Sequence, residues 1–185
     1  EIYGCLVGSE MCIRDSPGIA PYVNLTTIGT PHSGGRHARV WFGKARLSII
    51  ERFINSLMRT GKYAGKKQHC AKAFEAALDT MAERKGENPL QLFIDAVVNS
   101  APCEEITRIK FGAVSQPKAV DSSPSRRLDT ALRNLAKGCA AATAKSTRTL
   151  TQGIISELSK ASDGDIASFA VSKREEIERI AASAR

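Results

Sequence analysis

From Ser48 to Thr60 the chain alternates in pairs: Ile49, Ile50, Phe53, Ile54, Leu57 and Met58 are separated by Glu51, Arg52, Asn55, Ser56, Arg59 and Thr60. This spacing predicts a helix with six apolar side chains on one face and the two arginines on the other. Ser48 and Glu51 form a Ser-x-x-Glu capping box at its start, and Gly61 stands where a C-terminal cap glycine belongs. Burying six such side chains is worth roughly 1.5–3 kcal/mol each. Ordering about a dozen residues costs roughly 1–2 kcal/mol of backbone entropy each. The two nearly cancel, so the helix requires a partner surface.

Similar periods continue downstream. A second helix is predicted from about Lys66 to Lys85, with Cys70, Ala71, Phe74, Ala77, Leu78 and Met81 on its stripe and Gly86 ending it. Asn88-Pro89 opens a third, with Gln91 completing a weak capping box; its stripe is Leu90, Phe93, Ile94, Val97 and Val98, and Pro102 stops it. Residues 104–121 change to a period of two: Ile106, Arg108 and Lys110 alternate with Thr107, Ile109 and Phe111. Gly112 begins a turn, and Lys118-Ala119-Val120 returns as a second strand that Pro117 confines to an edge. A two-stranded ribbon is marginal alone, so this hairpin is expected to protrude and lie on a partner.

A fourth helix starts at Ser123-Pro124 and buries Leu128, Ala131, Leu132, Leu135, Ala136 and Cys139. A fifth, about Thr149–Ser162, uses Leu150, Ile154, Leu158 and Ala161, and Gly153 weakens it by roughly 1 kcal/mol relative to Ala. The last, about Ser168–Ala184, carries Ile177, Ile180, Ala181 and Ala184, with Glu175 and Arg179 paired four residues apart. The expected fold is mainly α. A six-helix, bundle-like domain spans residues 48–185, and a two-stranded β-hairpin arm protrudes between helices three and four.

Residues 17–47 are rich in Gly, Pro and Thr and then basic, which reads as an extended basic N-terminal arm. Residues 1–16 have no period and look like translated library-adapter sequence, so they are set aside from fold reasoning, together with Cys5 and Cys12. Asn24-Leu25-Thr26 matches a glycosylation acceptor, a short and weak match.

Charge sharpens the picture. Between Arg36 and Lys67 the chain holds nine cations and one acid, a net +8 that equals the charge of the whole protein. A block of one sign is the footprint of a polyanion-binding surface. Its cations lie mostly in turn-like flanks outside the helix, which suits phosphates better than the long cationic face of a membrane-surface helix. Arg126 and Arg127 add two more in the first turn of the fourth helix, where the dipole disfavours cations unless an anion joins them. Aromatics are 5% of residues, too few for a stacking platform along single strands. Gly61-x-x-x-Gly65-Lys66-Lys67 is one residue short of a phosphate-binding loop and lacks the Ser/Thr that would hold magnesium. A basic loop with glycines that admit phosphates is the better reading.

No catalytic pattern is present, and the five cysteines and three histidines complete no metal or cofactor motif. Cys70 and Cys139 fall on apolar faces, as buried reduced thiols. No run of about 18 apolar residues predicts a membrane span.

Five segments together carry a resemblance: PHSGGR, ERFINSLM followed by the basic glycine loop, GENPLQ, TRI with AVDSSPSRR, and SKREEIERIAASAR. In order and spacing they are similar to small ribosomal subunit protein seven of the universal set, in its eukaryotic and archaeal form. The resemblance implies binding to the 3′ major domain of small-subunit rRNA and organisation of head assembly beside neighbouring head proteins. It also implies an arm near exit-site tRNA and the mRNA exit path, and a cytoplasmic ribosomal location with nucleolar assembly if the source is eukaryotic. The RNA-contacting positions it implies are Arg36, Arg39, Lys44, Arg46, Arg59, Lys62, Lys66, Lys67, Arg126 and Arg127, with Arg108, Lys110 and Lys118 on the arm. The arm departs from the family pattern: KFGAVSQPK holds two lysines where several arginines and two glycines are usual. The competing reading is a non-ribosomal basic helical adaptor for an acidic protein.

Overall fold

The computed structural model describes residues 18–26, 29–112 and 114–184, so the adapter-like segment lies outside the described residues. Among them six helices and one hairpin follow the predicted order. These are α1 (Ile49–Leu57), α2 (Lys67–Lys85), α3 (Pro89–Asn99), β1 (Glu104–Phe111), β2 (Val114–Asp121), α4 (Pro124–Thr143), α5 (Leu150–Ser162) and α6 (Phe169–Ser183).

The core starts where the first three helices meet. Phe53, Phe74 and Phe93 pack ring on ring, with centroids 5.1 Å apart for the two pairs that Phe53 makes and 5.3 Å for the third. These are tilted, edge-directed geometries that aromatic quadrupoles favour. All the stripe residues of α4 and α5 predicted above are buried. Three of the six helix starts carry a side-chain cap: Asn88 for α3, Thr149 for α5 and Ser168 for α6. Asn88 accepts from Leu90 N at 3.0 Å, and Thr149 with Gln152 forms a reciprocal capping box that the sequence reading passed over.

The start and end of α1 depart from expectation. Ser48 makes no side-chain cap. Glu51 instead accepts from Ser33 N and Oγ at 2.8 and 2.9 Å and from Lys67 Nζ at 2.8 Å. Three donors, one of them charged, outcompete one amide in its own turn. The far end stops at Met58 rather than at a cap glycine, and Gly61 begins a 3₁₀ turn, Gly61–Tyr63. That turn delivers Tyr63 into the core, where its hydroxyl donates to Thr143 Oγ1 at 2.9 Å. Arg52, expected on a solvated face, is buried against Asp129 of α4.

Gly153 has a second role besides lowering helix propensity. A Cβ there would lie 2.8 Å from the Cys139 carbonyl oxygen and 2.8 Å from Thr143 Cγ2. Gly138 likewise leaves room for the buried Glu157 carboxylate, 2.5 Å from where its Cβ would be. Glu157 uses that room to accept from Ser168 Oγ at 2.8 Å and Ala170 N at 3.0 Å at the start of α6. The Gly153→Ala variant, which propensity alone would stabilise, is therefore expected to lose about 1–3 kcal/mol by overpacking, read from its urea midpoint.

Helix α6 is less apolar on its core side than its stripe suggested. Ala170, Val171 and Ala181 are buried, Ile180 is exposed, and Glu175 pairs with Arg174 at 3.6 Å rather than with Arg179. Its polar side chains hold the root of the hairpin instead. Arg174 donates to the Asn99 carbonyl at 2.6 Å, and Glu178 accepts from Cys103 N at 2.9 Å.

The hairpin pairs Glu104 with Asp121 through Phe111 with Val114, eight antiparallel pairs. Arg108 lies opposite Pro117, Lys110 opposite Ser115 and Lys118 opposite Thr107. Opposed residues share a face, so Arg108 and Lys110 stand on one face of the arm and Lys118 on the other.

The N-terminal segment is not extended throughout. Ile19 and Leu25 bury themselves on the body, and Ile49 N donates to the Asn24 carbonyl at 2.9 Å. Asn24 also donates its side-chain amide to the Arg46 carbonyl at 2.6 Å. Arg36–Arg39 and Gly43–Arg46 then form two successive 3₁₀ turns, where an extended arm was expected.

Candidate nucleic-acid interface

Cations from three separate segments converge on one concavity. The second 3₁₀ turn contributes Lys44, α1 and the turn after it contribute Arg52 and Arg59, and α4 contributes Arg133 and Lys137, with His37 of the first turn beside them. The basin has a volume of about 530 Å³, and Asp129 is the one acid among its lining residues.

Asp129 is already occupied. Arg52 Nη2 lies 2.7 Å from one carboxylate oxygen, and Lys44 Nζ pairs with the other. This double pairing ties the N-terminal turns and α1 to α4. Burial alone would raise the Asp129 pKa, but the hydrogen bonds from Lys44 and Arg52 outweigh it and hold the carboxyl below its ordinary range. Glu51 behaves alike: burial raises it, and the bonds from Lys67 and Ser33 bring it below the usual value. A carboxyl with a lowered folded-state pKa stabilises the fold fully above the unfolded value, and that contribution is lost as pH falls through the folded one. With unfolded values near 3.9 for Asp and 4.3 for Glu, the urea midpoint is expected to hold steady down to about pH 5 and fall below it. The Glu51→Gln variant should start from a lower midpoint and show a shallower acid limb.

With Asp129 engaged by Lys44 and Arg52, the basin's Arg59, Arg133 and Lys137 have no carboxylate partner among the described residues. His37 adds an Nδ1 shielded from solvent without a hydrogen-bond partner among them. Such a surface attracts polyanions, and its cations are spread over a concavity rather than along a flat face.

The predicted positions separate into groups. Lys44 and Arg59 line the basin, and Arg36, Arg39 and Arg46 are exposed on the adjoining 3₁₀ turns. Lys62 and Lys66 are exposed after α1, with Lys62 Nζ 5.7 Å from the Tyr63 ring centroid. Lys67 is turned inward onto Glu51. Arg126 and Arg127 turn toward the hairpin root rather than the helix axis. Arg126 Nε lies 2.5 Å from Glu105, and Arg127 donates to the Pro102 carbonyl at 3.1 Å. Glu105 thus supplies a negative charge from within the chain at a helix start where an anionic ligand was expected. Arg108, Lys110 and Lys118 are exposed along the hairpin, apart from the basin.

Sequence reasoning missed Arg133 and Lys137. They lie on the polar side of α4, opposite the apolar stripe that located the helix. A signal was present: between Asp129 and Glu157 the chain carries Arg133, Lys137, Lys145 and Arg148 and no acid.

Among the described residues no cluster of His, Cys, Asp and Glu could hold a metal ion, and no helix is long and apolar enough to cross a membrane.

The family model described as Ribosomal protein S7p/S5e matches residues 24–185. The chain belongs to that family. Curated relatives named small ribosomal subunit protein uS7 agree over nearly the whole length. The one from Thermoplasma volcanium is 45% identical over 169 residues, covering 91% of this chain and 92% of the relative. The one from Archaeoglobus fulgidus is 42% identical over 184 residues, with 100% and 94% covered. That of Methanothrix thermoacetophila is 41% identical over 185 residues, with both chains covered in full. In this S7p/S5e chain the family match begins at Asn24, the residue that fastens the N-terminal segment to Arg46 and Ile49. All the residues lining the basin therefore lie inside the family's span.

Proposed function

We propose that this chain is a structural, non-enzymatic constituent of the small ribosomal subunit that binds small-subunit rRNA through the basin and its flanks. One observation carries the RNA-binding geometry: cations from the N-terminal turns, α1 and α4 meet in a concavity whose single acid is already neutralised. Folded RNA presents phosphates and 2′-hydroxyls to such a surface, with little base-edge code. Family membership supplies the ribosomal context, and the bound region is the 3′ major domain, where the protein organises assembly of the head beside neighbouring head proteins.

Arg36, Arg39, Arg46, Arg59, Lys62 and Lys66 contact phosphates in this reading, joined by Arg133 and Lys137, while Lys44 is held by Asp129. Lys67 and Arg127 hold the surface in shape, through Glu51 and the hairpin root. Arg126 is exposed enough to reach an anion as well as Glu105. The hairpin, with Arg108 and Lys110 on one face and Lys118 on the other, reaches toward exit-site tRNA and the mRNA exit path. The site of action is the cytoplasmic ribosome.

Eight cations, Arg36, Arg39, Arg46, Arg59, Lys62, Lys66, Arg133 and Lys137, have no carboxylate partner among the described residues. If each meets a phosphate, log affinity falls with log salt at a slope of roughly −6 to −7. Sucrose-gradient fractionation with graded salt washes tests this. The protein should travel with small subunits and leave them steeply with salt. Sedimentation apart from small subunits at low salt, with capture by an acidic protein, would replace this reading by the adaptor.

A further inference from the structure

The two 3₁₀ turns do more than carry cations. Between them Val40, Trp41 and Phe42 stand out in solvent, with Trp41 91% and Phe42 75% exposed. Single exposed apolar residues are ordinary; two adjacent aromatics at the tip of a built turn are not. The turn is built by close contact: Gly43 is buried, and a Cβ on it would lie 2.2 Å from the His37 carbonyl oxygen. Gly43 N donates to Val40 O at 3.1 Å, and Ala45 N donates to Phe42 O at 3.0 Å. Phe42 itself sits at φ 55°, ψ 14°, a left-handed conformation that bulky residues avoid. The backbone therefore holds a strained aromatic outward where relaxation would be easy for a free loop.

The surroundings specify what this tip meets. Arg36 and Arg39 precede it, Lys44 and Arg46 follow it, and the sequence has no acid between Asp15 and Glu51. His37 and Lys44, on the same two turns, line the basin, so the tip continues the surface assigned to phosphates. A ligand with a flat apolar face and anionic groups on either side fits both features. We propose that Trp41, backed by Phe42, stacks on an unpaired base of the RNA whose phosphates the neighbouring arginines hold. This rests on the RNA-binding reading above and names the kind of nucleotide involved: one out of its helix, with an exposed face.

Trp41 is the single tryptophan of the chain, so its emission reports on this contact alone. The full chain is titrated with a transcript of the small-subunit rRNA 3′ major domain. Stacking is expected to quench Trp41 emission on binding. The Trp41→Ala variant should bind about tenfold more weakly at an unchanged salt slope and an unchanged urea midpoint, and Trp41→Phe should recover most of the loss. Emission that stays constant while the transcript binds, with Trp41→Ala binding as wild type, overturns the stacking and leaves the RNA-binding reading intact. Emission that moves only on adding small-subunit proteins without RNA assigns the tip to a protein pocket and also overturns it. A transcript that does not bind at all removes both readings.

Discussion

Replacing Arg59, Arg133 and Lys137 together with glutamine is expected to weaken rRNA binding by roughly 100- to 500-fold at 0.1 M salt and to flatten the salt slope by roughly 2 to 3. Each phosphate contact contributes about 0.7 to 0.9 to that slope, which at 0.1 M is roughly a five- to eightfold change in affinity per contact. The three side chains are exposed and have no carboxylate partner among the described residues, so removing their charge leaves no buried ion behind. The urea midpoint should therefore stay near that of the wild type. Affinity measured by filter binding at four or five salt concentrations gives both the intercept and the slope. A reduced affinity with the slope intact would mean that the three residues shape the basin without meeting phosphates. The comparison with Lys67→Gln is informative, because Lys67 is turned onto the buried Glu51. That variant should lower the urea midpoint and leave the slope nearly unchanged.

The contrast between Lys67 and Lys137 marks how far the sequence could be read. Periodicity located the helices because an apolar stripe every three or four residues is a local property, visible in Cys70, Phe74, Leu78 and Met81 without knowing what they touch. The hairpin was visible for the same reason, through the change of period at Ile106 and the turn at Gly112. The cationic block between Arg36 and Lys67 announced a polyanion surface, since charge excess needs no geometry to be counted. What escaped was set by distance along the chain. Glu51 looks like the partner of Ser48 three residues away, yet its partners are Ser33 and Lys67, 18 and 16 residues off. Arg52 looks solvated, yet Asp129 lies across the domain, 77 residues on. Gly153 reads as a weak point in a helix until α4 is placed against it. The same limit hid Arg133 and Lys137, whose relevance appears only once the fold brings α4 beside Lys44 and Arg59.

Phe53→Ala is expected to cost about 3–5 kcal/mol of stability, the largest single effect foreseen for this chain. Phe53 is fully buried on α1 and touches the rings of both Phe74 and Phe93, so truncation opens a cavity and removes two of the three aromatic pairs. Domains of this size are stable by about 5–15 kcal/mol, so the loss removes a large share of that stability. The loss falls on the helix that positions Arg59 and Arg52, so RNA binding should weaken too, but by a different route from the basin triple. The fraction of folded protein drops, while every folded molecule still presents the full set of cations. Affinity corrected for the folded fraction, taken from urea denaturation under the same conditions, should match the wild type, and the salt slope should be unchanged. A flattened slope in the Phe53→Ala variant would show that the aromatic cluster sets the geometry of the basin as well as its stability. The two variants thus separate the charge proposed to meet RNA from the core that holds it in place.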